Sequence, residues 1–125
     1  HSELKIDDTG KIAIIEIGGR MGGDCIGSHM VQLSTGVDFV KAVIQVALGE
    51  EPVLEYSRKQ AAAIRFVFAK EDVAVLEQIK HENPNILVEE NVEEIGNTCI
   101  RESSERYGYY IIHDADVNEL KKYLP

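Results

Sequence analysis

The sequence has no tryptophan, three phenylalanines, three prolines and two cysteines in 125 residues. Cys25 and Cys99 stand far apart, so the chain carries neither the close Cys/His spacing of a zinc site nor a disulfide scaffold. Both are read as reduced, buried thiols in a cytoplasmic protein. Basic residues are scarce too: 13 Lys and Arg stand against 22 Asp and Glu, a formal net charge of -9. That balance argues against a nucleic-acid groove binder, which needs a basic face. No apolar run reaches the roughly eighteen residues of a membrane-spanning helix. No basic start leads into a short apolar segment, so no signal peptide is expected. What is present is 44% hydrophobic residues, enough for one core. A chain of this size buries roughly two-thirds of its unfolded surface. It opens "HSELKID", in the middle of a strand pattern, and is read as the C-terminal piece of something longer.

Residues 3–7 alternate polar and apolar, the period of a half-buried strand. "DDTGK" follows as a turn and "KIAIIEIG" as a second strand, so a hairpin is expected over Glu3–Asp7 and Lys11–Ile17. A glycine-rich loop spans Gly18 to Gly23. Asp24 to Leu33 reads as a short helix interrupted at Gly27. Ser34 or Thr35 is expected to cap the next helix, whose Val37, Val40, Val43, Ile44, Ala47 and Leu48 share one face. Gly49 suits its C-terminal end, with Pro52 beyond. After a linker over 50–59, the pattern gives a strand at "AAAIRFVFAK" and a helix at "EDVAVLEQIKHEN". Strands at "NILVEEN" and "RYGYYIIHD" and a short final helix complete it. "EEIGNTCIRESSE" reads as a strand edge and an exposed turn. The second half is thus an α+β unit with mostly antiparallel pairing.

The densest chemistry is "EIGGRMGGD", Glu16 to Asp24. If the hairpin pairs tightly, Glu3 and Glu16 come near one end of it. Adjacent carboxylates repel, and a shared proton or a cation relieves that. Oxygen ligands in small number suit Mg²⁺, which keeps waters and takes phosphate oxygens. Arg20 adds a planar fork for phosphate or carboxylate, and the glycines let backbone N–H groups approach an anion. The plain alternative is two solvated glutamates and an ordinary loop.

The stretch "EIGGRMGGDCIGSHMVQLSTGVDFVKAVIQVALGEEP" resembles the closing segment of the ATP-grasp superfamily. In its biotin carboxylases and carbamoyl-phosphate synthases, a Glu-x-Asn-x-Arg strand end leads into a helix with a Thr-Gly-Val-Asp-Leu-type turn. Here "EIGGR" and "STGVDFVK" stand at matching intervals. The likeness covers about residues 1 to 52. The remainder is more loosely similar to the small C-terminal subdomain of amino-acid ligase-like members. The resemblance implies an α+β fold: the end of an ATP-grasp lobe over 1–52 and a small α+β subdomain over 53–125. It implies a fragment of an ATP-dependent carboxylate–amine ligase, using ATP with Mg²⁺ or Mn²⁺ and a small carboxylic acid. It also implies Glu3 and Glu16 as metal ligands and Arg20 as a contact to ATP phosphate, acyl phosphate or substrate. Asp24 falls where biotin carboxylases place a carboxylate near the reacting acid. One departure stands out: the family's Asn is Gly18 here. The nucleotide-contacting lysines and flap of such ligases do not occur in these residues, so this chain alone is expected not to turn over ATP.

Other residues carry plainer readings. His29 is read as a helix-surface or core histidine, His81 as a helix C-terminal partner of the dipole. His113, Asp114 and Asp116 read as a strand-to-helix turn with an Asp cap rather than a metal site. Tyr107, Tyr109 and Tyr110 read as strand residues with a wet hydroxyl. Glu89, Glu90, Glu93 and Glu94 read as a solvated acidic edge. The rival function is a non-catalytic regulatory or dimerisation module with a degenerate nucleotide site, in which the chain forms a homodimer.

Overall fold

The computed structural model describes residues 1–96 and 101–125. Cys99 and the centre of "EEIGNTCIRESSE" lie outside these residues. Two antiparallel sheets organise the described residues. β1 (Ser2–Ile6) and β2 (Ile12–Ile17) form a two-stranded ribbon. Asp7 closes its turn, accepting from Thr9 N, Thr9 Oγ1 and Lys11 N at 2.9, 2.6 and 3.0 Å. Those donors hold its carboxyl below the ordinary Asp range, the Thr9 hydroxyl contributing most. β3 (Ala61–Phe66), β4 (Leu87–Val92) and β5 (Gly108–Asp114) form a three-stranded sheet in the order β3-β5-β4. Both its ladders are antiparallel, as the sequence pattern implied.

The polar loop after the ribbon leads into a π-helical turn, Ile26–Met30, and then α1 (Val31–Thr35). Gly27 does not interrupt this helix; it is buried against Met21, where the turn is widened. Ser34 and Thr35 do not cap the following helix. Their hydroxyls bond back to Met30 O and Val31 O, both at 2.6 Å, and close α1. Gly36 then takes the left-handed conformation (φ +82°) that ends the helix. The cap of α2 (Phe39–Ala47) is Asp38, whose carboxylate accepts from Lys41 N at 2.9 Å. Gly49 follows α2 in the left-handed region, as expected.

The core sits in the second half. Val67, Leu76, Ile79, Ile86, Tyr110, Ile112, Leu120 and Tyr123 pack together between the three-stranded sheet, α3 (Lys70–Glu82) and α4 (Val117–Lys121). Burial pushes the Tyr110 phenol up to about 12. The N-terminus of α3 is fixed from inside. Asp72 accepts from Phe68 N and Ala69 N at 2.9 and 3.1 Å and from Arg65 at 2.8 and 3.1 Å. Asp116 caps α4 as the sequence suggested, accepting from Asn118 N at 2.8 Å. His113 bonds Gln60 at 2.9 Å.

The first half packs differently. Leu4, Ile6, Ile12, Ile14 and Ile17 are 51–68% exposed. The apolar face expected on α2 is not a buried one in this chain: Val43, Ile44 and Leu48 are exposed, and Ala42 is the buried residue of that helix. The linker over 50–59 has no regular structure, but it is tied down where Ser57 N and Arg58 N donate to Thr35 O.

Candidate metal-phosphate site

The ribbon places Glu3 directly opposite Glu16. A β-bulge makes this happen. Ser2 pairs Ile17 and Glu3 pairs Glu16, yet Leu4 pairs Ile14, leaving Ile15 as the extra residue. Without the bulge, Glu16 would lie among Ile12 and Ile14 on one face. With it, Leu4, Ile6, Ile12, Ile14 and Ile17 share one side of the ribbon. Glu3, Lys5, Ala13 and Glu16 share the other. Directly opposed residues hold their Cβ atoms about 4.5–5.5 Å apart, within reach of one cation.

The ladder continues one step past the strands. Gly18 N donates to His1 O at 2.9 Å, and His1 N donates to Gly18 O at 2.8 Å. Arg20 is exposed, and its Nη1 donates to Met21 O at 2.9 Å. Between this loop and α2 lies a mostly apolar cleft of about 430 Å³, lined by Arg20, Met21, Phe39, Val43, Val46 and Leu54.

Asp24 is placed apart from the glutamate pair in its bonding. It accepts from Arg106 Nη2 at 3.2 Å, across 82 residues of sequence. Arg106 in turn stacks over the Phe66 ring at 3.8 Å. Asp24 and Cys25 are consecutive non-glycine residues in the left-handed region, φ 51° and 61°. Two such residues are costly unless neighbours hold them, and this loop is held from several sides.

A second clamp joins the same loop to the three-stranded sheet, and sequence reasoning missed it. His29 Nε2 lies 3.0 Å from Glu89 Oε2, while its Nδ1 shares a hydrogen bond with Ser28 Oγ at 2.8 Å. Tyr109 donates to Glu89 Oε1 at 2.6 Å. That bond, then burial and the neighbouring Cys25, hold the Tyr109 hydroxyl protonated well above the ordinary phenol range. Lys80 ties Glu90 at 2.8 Å. So Glu89 is engaged by His29 and Tyr109, while Glu90 stays exposed on the edge strand β4 in a surface ion pair with Lys80. Cys25 is a free, half-buried thiol.

Among the described residues no three His, Cys, Asp or Glu side chains are grouped to hold a metal by themselves. Two opposed carboxylates with open solvent beyond them suit Mg²⁺, which is bound by one or two carboxylates plus phosphates and waters. Among the described residues, no helix is long and apolar enough to cross a membrane.

No protein-family model matches the chain, and no curated protein matches it. Solved structures do. Phosphoribosylglycinamide synthetase from Anaerococcus prevotii superposes with a TM-score of 0.73 at 17% identity, over 98% of this chain and 33% of that one. L-amino acid ligase from Bacillus licheniformis superposes with a TM-score of 0.69 at 23% identity, over 98% of this chain and 32% of that one. The chain therefore spans about a third of the length of the structures it matches. Both neighbours are ATP-grasp ligases, and what this chain shares with them is the fold: a mixed arrangement of antiparallel sheets and helices that matches part of an ATP-grasp lobe.

Proposed function

We propose that the chain is part of an ATP-dependent ligase that joins a carboxylic acid to an amine. In this reading residues 1–52 close an ATP-binding lobe and 53–125 form a small subdomain that braces it. Glu3 and Glu16 hold Mg²⁺ or Mn²⁺, and Arg20 faces the phosphate or the substrate carboxylate. Bound Mg-ATP would supply the phosphoryl group that activates the acid, with the cation neutralising charge on the transferring oxygens. Asp24 is assigned near the reacting acid, where Arg106 fixes its direction. The setting is cytosolic, with thiols reduced.

The observation that supports this best is the pairing of Glu3 with Glu16 on one face of a bulged ribbon. Carboxylates directly opposed in a ladder destabilise it unless something positive lies between them. A fold shared with two ligases makes a nucleotide-bound cation the fitting partner. The catalytic parts that this chain lacks would come from elsewhere in the ligase, so the 125 residues alone do not turn over ATP.

The rival is a binding module with a degenerate site, favoured by Gly18 where the resembling family has Asn. Glu16→Gln and Arg20→Ala, made in the polypeptide that carries this segment, separate the two. The ligase reading expects each to lower acid-dependent ATP cleavage by about a hundredfold or more, the scale of losing a positioned charge in such a site. Unchanged cleavage with altered self-association supports the module.

A further inference from the structure

Gly18 raises a question that the glutamate pair does not answer: what occupies the space of its missing side chain? The ladder supplies the answer. His1 and Gly18 are a reciprocal hydrogen-bonded pair, two steps from Glu3 and Glu16, so His1, Glu3, Glu16 and Gly18 share one face of the ribbon. The imidazole of His1 lies over Gly18. A Cβ on residue 18 would stand 2.6 Å from both Cε1 and Nδ1 of that ring, so the ring and a side chain at residue 18 do not both keep these positions. The glycine is therefore the gap into which the ring fits.

The ring's two nitrogens then have different surroundings. Nδ1 is buried and has no hydrogen-bond partner among the described residues. Nε2 points toward Glu3 Oε1, 3.8 Å away. An unpaired buried N–H is rarer and costlier than an unpaired acceptor. These surroundings assign the neutral ring's hydrogen to Nε2, facing the Glu3 carboxylate. The span is too long for a hydrogen bond in this state, and one water or a shift of about 1 Å closes it.

We propose that His1 is a positioning residue for the cation site. Its imidazole, seated on Gly18, restrains the Glu3 carboxylate on the side facing Glu16. This inference rests on the carboxylate-pair reading above. It adds that the site is built from three side chains and a glycine, the ring taking the place that a side chain at residue 18 would fill.

The test uses the polypeptide that carries this segment and Mn²⁺ alone as the probe, with affinity read from the electron paramagnetic resonance signal of the free ion. Thermal unfolding is recorded for every variant. Glu3→Gln is the control for the carboxylate pair. His1→Ala, His1→Phe and Gly18→Ala are each expected to weaken Mn²⁺ binding about tenfold, the lower end of the cost of losing a partner that orients a metal ligand. The Phe variant keeps a ring over Gly18, so its unfolding temperature is expected to match that of the unmodified chain. His1→Gln, which returns a donor at similar reach, is expected to recover affinity to within about threefold of the original. Undiminished affinity in His1→Phe, with Glu3→Gln still defective, overturns the role of His1 and leaves the carboxylate pair standing. Unchanged affinity in Glu3→Gln, or no Mn²⁺ binding by the unmodified polypeptide, overturns both.

Discussion

Replacing Glu16 by Gln has opposite effects with and without a divalent cation. Without one, Glu16 and Glu3 are like charges directly opposed in the ladder. At about 5 Å in water, Coulomb's law gives about 0.8 kcal/mol of repulsion, inside the range of roughly 0.2–1 kcal/mol for cross-strand charge pairs. Glu16→Gln removes this and stabilises the ribbon. The readout is hydrogen exchange of the Gly18 amide, which closes the ladder on His1 O. A gain of about 0.5–1 kcal/mol slows local opening by about two- to fivefold. Adding Mg²⁺ or Mn²⁺ at about ten times its dissociation constant stabilises the binding-competent form by about 1.4 kcal/mol. The original chain gains that protection and the Gln variant does not, so their order reverses. Equal exchange in the two proteins, with and without the cation, would show that the carboxylates neither repel nor share an ion.

Two further outcomes test the fold that carries the site. Burial raises the Asp72 pKa, but bonds from the Phe68 and Ala69 amides and from Arg65 outweigh it and hold the carboxyl below its ordinary value. Its contribution is therefore full above the unfolded value near about 3.9 and is lost as pH falls through the lower folded value. Asp72→Asn should cost roughly 2–4 kcal/mol in urea unfolding at pH 7 and flatten the stability loss below about pH 4. Gly108 sits at φ +125°, where a Cβ would collide with the Asn91 carbonyl and stand 2.9 Å from Val92 Cα. Gly108→Ala should cost at least about 2 kcal/mol by the same measurement, by backbone strain and by prying β4 from β5.

The hairpin and the β-α-β-β-α order of the second half were legible because period-two and helical spacing are local signals. The bulge was legible in principle. In "IAIIEI" the isoleucines change parity between Ile14 and Ile15, and only an extra residue lets Glu16 avoid their face. Two clamps were not legible: Asp24 to Arg106 and His29 to Glu89. Each joins residues brought together by the packing of the loop on the sheet, which no spacing rule encodes. The cap of α2 was misplaced by four or three residues because Ser34 and Thr35 are cap formers in composition. Their hydroxyls instead serve the end of α1. Apolar periodicity groups Val43, Ile44 and Leu48 on one face of α2, but the residue this chain buries is Ala42, on the opposite side of the helix. Val43, Ile44 and Leu48 are exposed in this chain.

The most direct measurement is paramagnetic broadening of backbone amide signals as Mn²⁺ is titrated into this chain. Broadening centred on Glu3 and Glu16, spreading to Gly18 and Arg20 and lost in Glu16→Gln, is the expected result. Broadening centred elsewhere, on Asp114 and Asp116 for example, or broadening that survives Glu16→Gln unchanged, would contradict a cation site between the ribbon carboxylates.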